Sequence, residues 1–257
     1  MFAVLELSKA QYFLVYNMFS FVVATMGAAF LYFLLTRRDV SPHHRLAVTL
    51  STLICAIACY HYLRIFGNWK DAFTVKDGVY SQTGSFNEGY RYADWMLTVP
   101  LLLSELVLVL KLAKVESRKL NTQLVAAAIL MIAAGYPGEV ASASSSRMIW
   151  GIISTIPFLF ILYVLFVRIG KSLAGQPAST KTMFDALRYI IIGTWGVYPI
   201  AYLFGQPGGF AGLNESTSQV VRQVGYSLAD VLAKPAYGLL IVAIAVIKSR
   251  EENYIAG

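Results

Sequence analysis

The sequence predicts an all-α membrane protein, a bundle of seven transmembrane helices with a short β-hairpin in the external loop between the second and third. Three observations predict it. Of 257 residues, 57% are hydrophobic and only 14% charged, where a soluble domain carries about a quarter. Apolar runs close to the ~20 residues that cross ~30 Å of hydrocarbon recur along the whole length. The basic residues gather in every second loop. Arg37, Arg38 and Arg45 fall in one, and Lys111, Lys114, Arg118 and Lys119 in another. Arg168, Lys171, Lys181 and Arg188 bracket a third, and Lys248 and Arg250 close the chain. The intervening loops and their edges are poorer, with Arg64, Lys70, Lys76, Arg147 and Arg222. The positive-inside rule puts the richer set in the cytoplasm, so the N-terminus lies outside and the C-terminus inside. The net charge of +7 is thus placed for topology and not for nucleic acid. Residues 1–257 read as a single transmembrane domain. Met1 to Gln11 holds Glu6 and Lys9 and does not read as a signal peptide. Cys55 and Cys59, four apart in one apolar span, read as free thiols without disulfide or metal spacing.

Span A runs from about Ala10 to Leu35 and stops at Arg37-Arg38. Span B, about His44 to Phe66, carries His61 between Tyr60 and Tyr62. A lone histidine at that depth is more often a satisfied core residue than a switch. Phe73-Thr74-Val75 and Val79-Tyr80-Ser81 then flank Lys76-Asp77-Gly78, and the Asp-Gly pair supplies the positive-φ turn of a hairpin. Span C, about Asn87 to Leu112, contains Pro100, which a membrane helix tolerates because neighbours satisfy the freed carbonyl. Span D covers about Leu120 to Tyr136. Span E covers about Ser146 to Leu173 and includes Trp150-Gly151 and Ser154-Thr155. Gly175-Gln176-Pro177 is a break, and Lys181 to Arg188 restart the chain at the cytoplasmic surface. Span F, about Phe184 to Phe204, holds Trp195, Tyr198 and Pro199. The external turn Gly205 to Gly209 leads to span G, about Gln219 to Ile247.

An ionisable group at membrane depth marks function by default. Span C carries Arg91, Asp94 and Glu105. At ~100° and ~1.5 Å per residue, Asp94 and Thr98 are ~40° apart, and Asp94 and Glu105 are ~20° and ~16 Å apart. Two acids on one stripe at different depths read as stations on a proton path; two solvated acids near helix ends are the alternative. Span G carries Asp230 and Lys234, four apart and so on one face. Lys234 is near mid-span, where an uncompensated ammonium costs on the order of 3 kcal/mol even on the insertion scale. It needs an anion or a chemical change, and a desolvated lysine is suited to condense with an aldehyde. A structural Lys–Asp pair is the alternative. Spans C and G run in the same direction. Asp94 and Asp230 therefore lie on the external side of the lysine nitrogen and Glu105 on its cytoplasmic side. Acid, nitrogen, acid in that order is a vectorial relay leading out past Arg91.

At these residues the chain resembles the microbial rhodopsins, seven-helix retinal proteins, and within them the proton-pumping proteorhodopsin and xanthorhodopsin branch. The resemblance rests on Arg91-Tyr92-Ala93-Asp94-Trp95, Thr98 and Glu105, on Trp195-Gly196-Val197-Tyr198-Pro199, and on Asp230 to Lys234. It implies that Lys234 binds all-trans retinal as a protonated Schiff base. It makes Asp94 the primary counterion and proton acceptor, with Thr98 as hydrogen-bond partner. Asp230 becomes the second counterion, Glu105 the cytoplasmic donor, and Arg91 sets the external field. Trp95 and Trp195 would sandwich the polyene. Met131, Gly135, Trp150, Ser154, Thr155, Tyr198, Pro199 and Ala233 would complete the pocket, with ordinary interhelical packing as the alternative for the aromatics. In this branch a span B histidine hydrogen-bonds the primary carboxylate, which gives His61 the task of tuning Asp94. Leu102 matches the position where leucine accompanies green absorption. Gly151 stands where many relatives carry a bulky Trp. Such a gap lets a carotenoid, here a hydroxylated xanthophyll, lie against the chromophore as an antenna, and Tyr202 would line the same window. A glycine that only permits close helix packing is the alternative. The paired external acids of fast-releasing relatives are not evident, and Glu215 is a weak substitute.

The expected function is a light-driven outward proton pump, not an enzyme. Its expected place is the bacterial plasma membrane, multi-pass, with protons and the lipid bilayer as partners, as a homo-oligomer, without nucleic acid or metal. Pro199, Gly193 and Gly196 make span F the element that opens the cytoplasmic side. A photosensory rhodopsin signalling to a partner is the alternative; a sensor needs no efficient donor, so Glu105 favours the pump. A chloride pump would need a neutral residue at Asp94, and a sodium pump a different polar triad at Asp94, Thr98 and Glu105.

Overall fold

The computed structural model describes residues 4–110, 114–169 and 178–254. Lys111 and Lys171, the inner edges expected of spans C and E at Leu112 and Leu173, and the Gly175-Gln176-Pro177 break lie outside the described residues. Seven helical rods make up the bundle. Four are single helices: α1 (Lys9–Thr36), α2 (Arg45–Ala72), α3 (Gly89–Val109) and α4 (Lys114–Glu139). The fifth, α5 (Ser144–Tyr163), continues as a π-helical segment, Val164–Arg168. The sixth is broken at Gly196 into α6 (Ala178–Trp195) and α7 (Val197–Leu203). The seventh is α8 (Glu215–Val231), a π-helical segment Leu232–Ala236, and α9 (Tyr237–Glu251).

Six of these rods are long and apolar enough to cross a bilayer. The sixth falls short because Lys181, Asp185 and Arg188 load its inner half and Gly196 interrupts it. The rods pack as a ring, α1 on α2, α2 on α3, α3 on α4, α4 on α5, α7 on α8, and α8 back on α1. Bulky apolar side chains such as Leu35, Ile152, Ile156 and Leu159 point outward, as a hydrocarbon solvent allows. Arg91, Asp94, Glu105, Glu139, Arg147, Asp230 and Lys234 are buried inside. The bundle is inverted relative to a soluble protein, with lipid-soluble faces and an ionic interior.

The hairpin forms as expected. Strands β2 (Phe73–Lys76) and β3 (Val79–Gln82) pair antiparallel, and Asp77 (φ 50°) and Gly78 (φ 80°) make the two-residue turn. A third strand, β1 (Glu6–Ser8), pairs with β3. It was not legible because three residues carry no usable period. Its anchor is Leu7, 1% exposed, and Tyr12 stacks on Tyr80 at 4.1 Å between ring centres. This sheet ties the N-terminal end of α1 to the loop that precedes α3.

Pro235 cannot donate the hydrogen bond that an α-helix would need at its position. The chain widens there into π geometry, and the Tyr237 N–H reaches back to the Leu232 carbonyl. Such π segments recur at functional sites, and this one contains Lys234. Asp230, Lys234, Tyr237 and Ile241 are all buried along one stripe of the seventh rod.

Candidate functional site

The polar interior centres on Lys234. Its Nζ donates to Asp94 Oδ2 and to Asp230 Oδ1, each at 2.6 Å. Both carboxylates and the amine are essentially unexposed. The two acids are held very differently. Asp230 Oδ1 also accepts from Trp95 Nε1 (3.1 Å) and Tyr198 Oη (2.7 Å), and its Oδ2 accepts from Tyr62 Oη (2.6 Å). Asp94 Oδ1 is buried with no partner. Arg91 closes the side away from Glu105: Nη1 donates to Tyr62 Oη (2.7 Å), and the same nitrogen is 3.6 Å from Asp230 Oδ2. Two cations and two carboxylates balance, which removes most of the cost of burying any one of them.

Glu105 lies three turns further along the same face of α3 as Asp94 and is wholly buried. Ser51 Oγ donates to its Oε2 at 2.8 Å, while Oε1 has no partner. Among the described residues no cation pairs with it. Tyr237, also buried, has an unpartnered hydroxyl.

A cavity of about 820 Å³ of empty volume, its mouth included, runs from Lys234 outward between the rods. Of the residues expected at the pocket, Trp95, Leu102, Met131, Gly135, Gly151, Ser154, Thr155, Trp195, Tyr198, Pro199 and Tyr202 line it. Trp150 and Ala233 do not. The Trp150 Cβ lies against Gly138, and Ala233 packs into the apolar core. Tyr92, Val99, Ile132, Phe158 and Tyr226 line the cavity too; nothing but position separates them from other core residues in the sequence.

Two other expectations change. Thr98 Oγ1 donates to the backbone carbonyl of Asp94 at 2.9 Å and not to its carboxylate. His61 makes no hydrogen bond to Asp94, and its Nδ1 is buried without a partner. The sequence reading also missed Tyr62, Ser51 and a second ionic cluster outside Arg91. There Glu139, at the outer end of α4, accepts from Arg147 (2.8 Å) and Arg222 (2.6 Å) through Oε1 and from Tyr226 (3.0 Å) and Tyr92 (3.3 Å) through Oε2. Arg222 reaches Glu88 at 2.9 Å. The available signal was the spacing of Gln223, Tyr226, Asp230, Lys234 and Tyr237, a polar stripe at helical intervals within a membrane span.

Residues 14–248 match the family profile of bacteriorhodopsin-like proteins. The chain belongs to that family. It falls within the proteorhodopsin and xanthorhodopsin branch of the microbial rhodopsins. It is 32% identical over 232 residues to a blue-light absorbing proteorhodopsin of the gamma-proteobacterium Hot 75m4, covering 90% of this chain and 86% of that one. It is 32% identical over 223 residues to bacteriorhodopsin of Halobacterium salinarum, covering 85% and 79%. Among solved structures, xanthorhodopsin, described as a light-driven ion pump with dual chromophore, superposes with a TM-score of 0.90 at 46% identity, covering 98% of this chain and all of that one. A thermophilic rhodopsin superposes at 0.91 with 48% identity and the same coverage.

Microbial rhodopsins hold retinal on a lysine, and the cavity of this rhodopsin fits such a group. Lys234 is the one charged side chain among the described residues lining it. The remainder of the lining is dominated by apolar and aromatic side chains, as in sites that bury a small molecule. The wall is also cut back where a longer side chain would intrude. A Cβ at Gly135 would sit 3.3 Å from Tyr92 Cε1, and one at Gly151 would sit 3.0 Å from Tyr202 Cε1.

Proposed function

We propose that this rhodopsin is a light-driven outward proton pump of the bacterial plasma membrane, multi-pass, with the N-terminus outside and the C-terminus in the cytoplasm. The observation that carries the reading is the placement of acids around one nitrogen. Lys234 Nζ touches Asp94 and Asp230 at 2.6 Å on one side, and the buried, cation-free Glu105 lies on the other. Retinal joined to the Lys234 nitrogen would supply light absorption and a photoisomerisation.

Lys234 holds the group and presents the proton. Asp94 is the acceptor, supported by its unpartnered Oδ1; an oxygen already taking three hydrogen bonds, as in Asp230, has no such capacity. Asp230 is the fixed counterion that Tyr62, Trp95 and Tyr198 hold in place. Glu105 is assigned the resting proton and returns it to the Lys234 nitrogen. A neutral carboxyl avoids an uncompensated buried charge, and Ser51 orients it. Trp95 and Trp195, which line the cavity, would flank the polyene. The break at Gly196, next to Pro199, supports α6 and α7 as the rod that opens the inner half. Leu102 fits green absorption. His61 tunes Asp94 from a distance or through water.

The finer part of the reading is a carotenoid antenna. Gly151 lines the cavity beside Tyr202, and Ile152 and Ile156 are exposed on the same helix, which supports an apolar rod lying against the lipid face. An excitation spectrum with added hydroxylated carotenoid tests it, and absence of a sensitisation band rejects it. Light-induced pH change in a cell suspension tests the pump. Acidification abolished by an uncoupler is expected; a photocycle without acidification rejects pumping in favour of signalling.

A further inference from the structure

The external half of the bundle holds a connected set of groups with no part in the steps above. Arg91 Nη2 donates to Gln223 Oε1 (2.8 Å), and Gln223 Nε2 donates to Glu88 Oε1 (2.5 Å). Arg91 Nε lies 3.8 Å from Glu88 Oε2, so Arg91 spans from the Asp230 side of the site to Glu88. Arg222 donates to Glu88 Oε1 at 2.9 Å and lines a second cavity, about 790 Å³ of empty volume, with Gln82, Phe86, Glu215 and Gln219. Groups fixed by hydrogen bonds therefore run from Lys234 to the floor of an external cavity. Neither guanidinium gives up a proton, because arginine stays charged, and a glutamine amide does not titrate. Of the carboxylates at this end, Glu6, Asp71 and Asp77 are exposed on the sheet and the end of α2, and Glu88, Glu139 and Glu215 lie at or beside these groups.

Their surroundings separate them. Glu139 is shut in: its side chain is unexposed, and both oxygens take two donors, from Arg147 and Arg222 and from Tyr226 and Tyr92. Glu215 lies in the first turn of α8, after the Asn214 cap, at the cavity rim, with no bond to the Arg91 chain. Glu88 has both properties that an exit group needs. Its Oε1 is fixed by Gln223 and Arg222, and its Oε2 has only the distant approach of Arg91, on a side chain 10% exposed.

Resting on the pump reading, we infer that Glu88 is the proton-release residue, the last protein group the exported proton occupies before the external cavity. The O–H bond of protonated Asp94 breaks, and through intervening water an O–H bond forms on Glu88 Oε2. That bond then breaks as the proton passes to bulk water, and Glu88 returns to its ion pair with Arg222. No electrons are transferred. Arg91, Gln223 and Arg222 are positioning residues for this step.

The test uses the full chain with retinal, in vesicles, with flash photolysis and a bulk pH-indicating dye read together. Glu88→Gln should leave deprotonation of the Lys234 nitrogen at its normal rate but delay the bulk proton about tenfold. A positioned proton-transfer group gives about 100-fold or more, and water in the cavity makes up part of the loss. A carboxylic-acid infrared band should rise and fall at the time of release and vanish in Glu88→Gln, and Glu88→Asp should restore both signals. Normal release timing in Glu88→Gln overturns the inference, as does slowed release in Glu139→Gln or Glu215→Gln with Glu88→Gln unaffected. An unaltered chain that never acidifies the bulk overturns the pump reading and this inference with it.

Discussion

Replacing Glu105 with Gln separates the donor's chemistry from its structure. The amide has the carboxyl's shape, and its oxygen can still accept from Ser51 Oγ, now at 2.8 Å. Packing is kept because the site is wholly buried and the volume hardly changes. What is lost is a proton that can be delivered to the Lys234 nitrogen. A positioned general acid contributes about 100- to 10,000-fold, which is about 3–5 kcal/mol of barrier at 1.36 kcal/mol per tenfold. Reprotonation should slow by that factor in the variant. A second signature follows from mass action. With the internal donor gone, the proton comes from bulk water, whose proton concentration falls tenfold with each pH unit. Reprotonation in Glu105→Gln should therefore slow with rising pH, while the unaltered chain should be nearly flat over the same range. Flash photolysis at two pH values reads both. Unchanged decay in the variant, or a slow decay that ignores pH, would refute the donor assignment and favour a signalling photocycle.

Other perturbations probe the remaining groups. Lys234→Ala should abolish visible absorbance and leave Asp94 and Asp230 facing one another without their cation, a loss of about 3–5 kcal/mol for an unpaired buried charge; adding Asp94→Asn should recover part of the stability, and no recovery would count against the pairing. Glu139→Gln leaves Arg147 its backbone partners, Gly138 O, Glu139 O and Tyr202 O, so the loss should sit near the low end of that range, about 3 kcal/mol. At about 2–4 °C per kcal/mol this lowers the midpoint of thermal unfolding by about 6–12 °C, read as loss of the visible band; an unchanged midpoint would mean the cluster adds no stability. Gly151→Trp places its Cβ 3.0 Å from Tyr202 Cε1 and must displace that ring from its 2.6 Å bond to the Arg147 carbonyl. Carotenoid sensitisation should disappear while retinal absorbance persists; sensitisation that survives moves the antenna elsewhere. Replacing His61 should move the midpoint of the acid-induced colour change, and an identical titration would leave His61 a packing residue.

Much of the fold was legible because the bilayer imposes rules that act locally. Span lengths, basic loops and the Asp77-Gly78 hairpin turn each depend on a few neighbouring residues. So does the pairing of Asp230 with Lys234, four apart on one helix. The sixth rod illustrates the limit: Pro199 and the glycines announce a break, but only the structure puts it at Gly196, between Trp195 and Val197. Strand β1 was invisible because it exists only through β3, more than 70 residues later. Trp150 was expected in the cavity from the family resemblance, yet its Cβ lies against Gly138, a contact between α4 and α5 that no local pattern reveals.

The sequence alone put Arg91, Asp94, Glu105, Asp230 and Lys234 inside, because a charge within an apolar span has no water to turn to. It also determined their order in depth, because helical rise converts residue number directly into distance. Tertiary structure decided which oxygen of which acid is free. Tyr62 from α2, Trp95 from α3 and Tyr198 from α7 all converge on Asp230 and leave Asp94 Oδ1 alone. It likewise brought Glu88, just before α3, Glu139 of α4, Arg147 of α5 and Arg222 of α8 into one cluster. Such convergence depends on how helices are rotated against one another, and that rotation is set by the packing of many side chains at once.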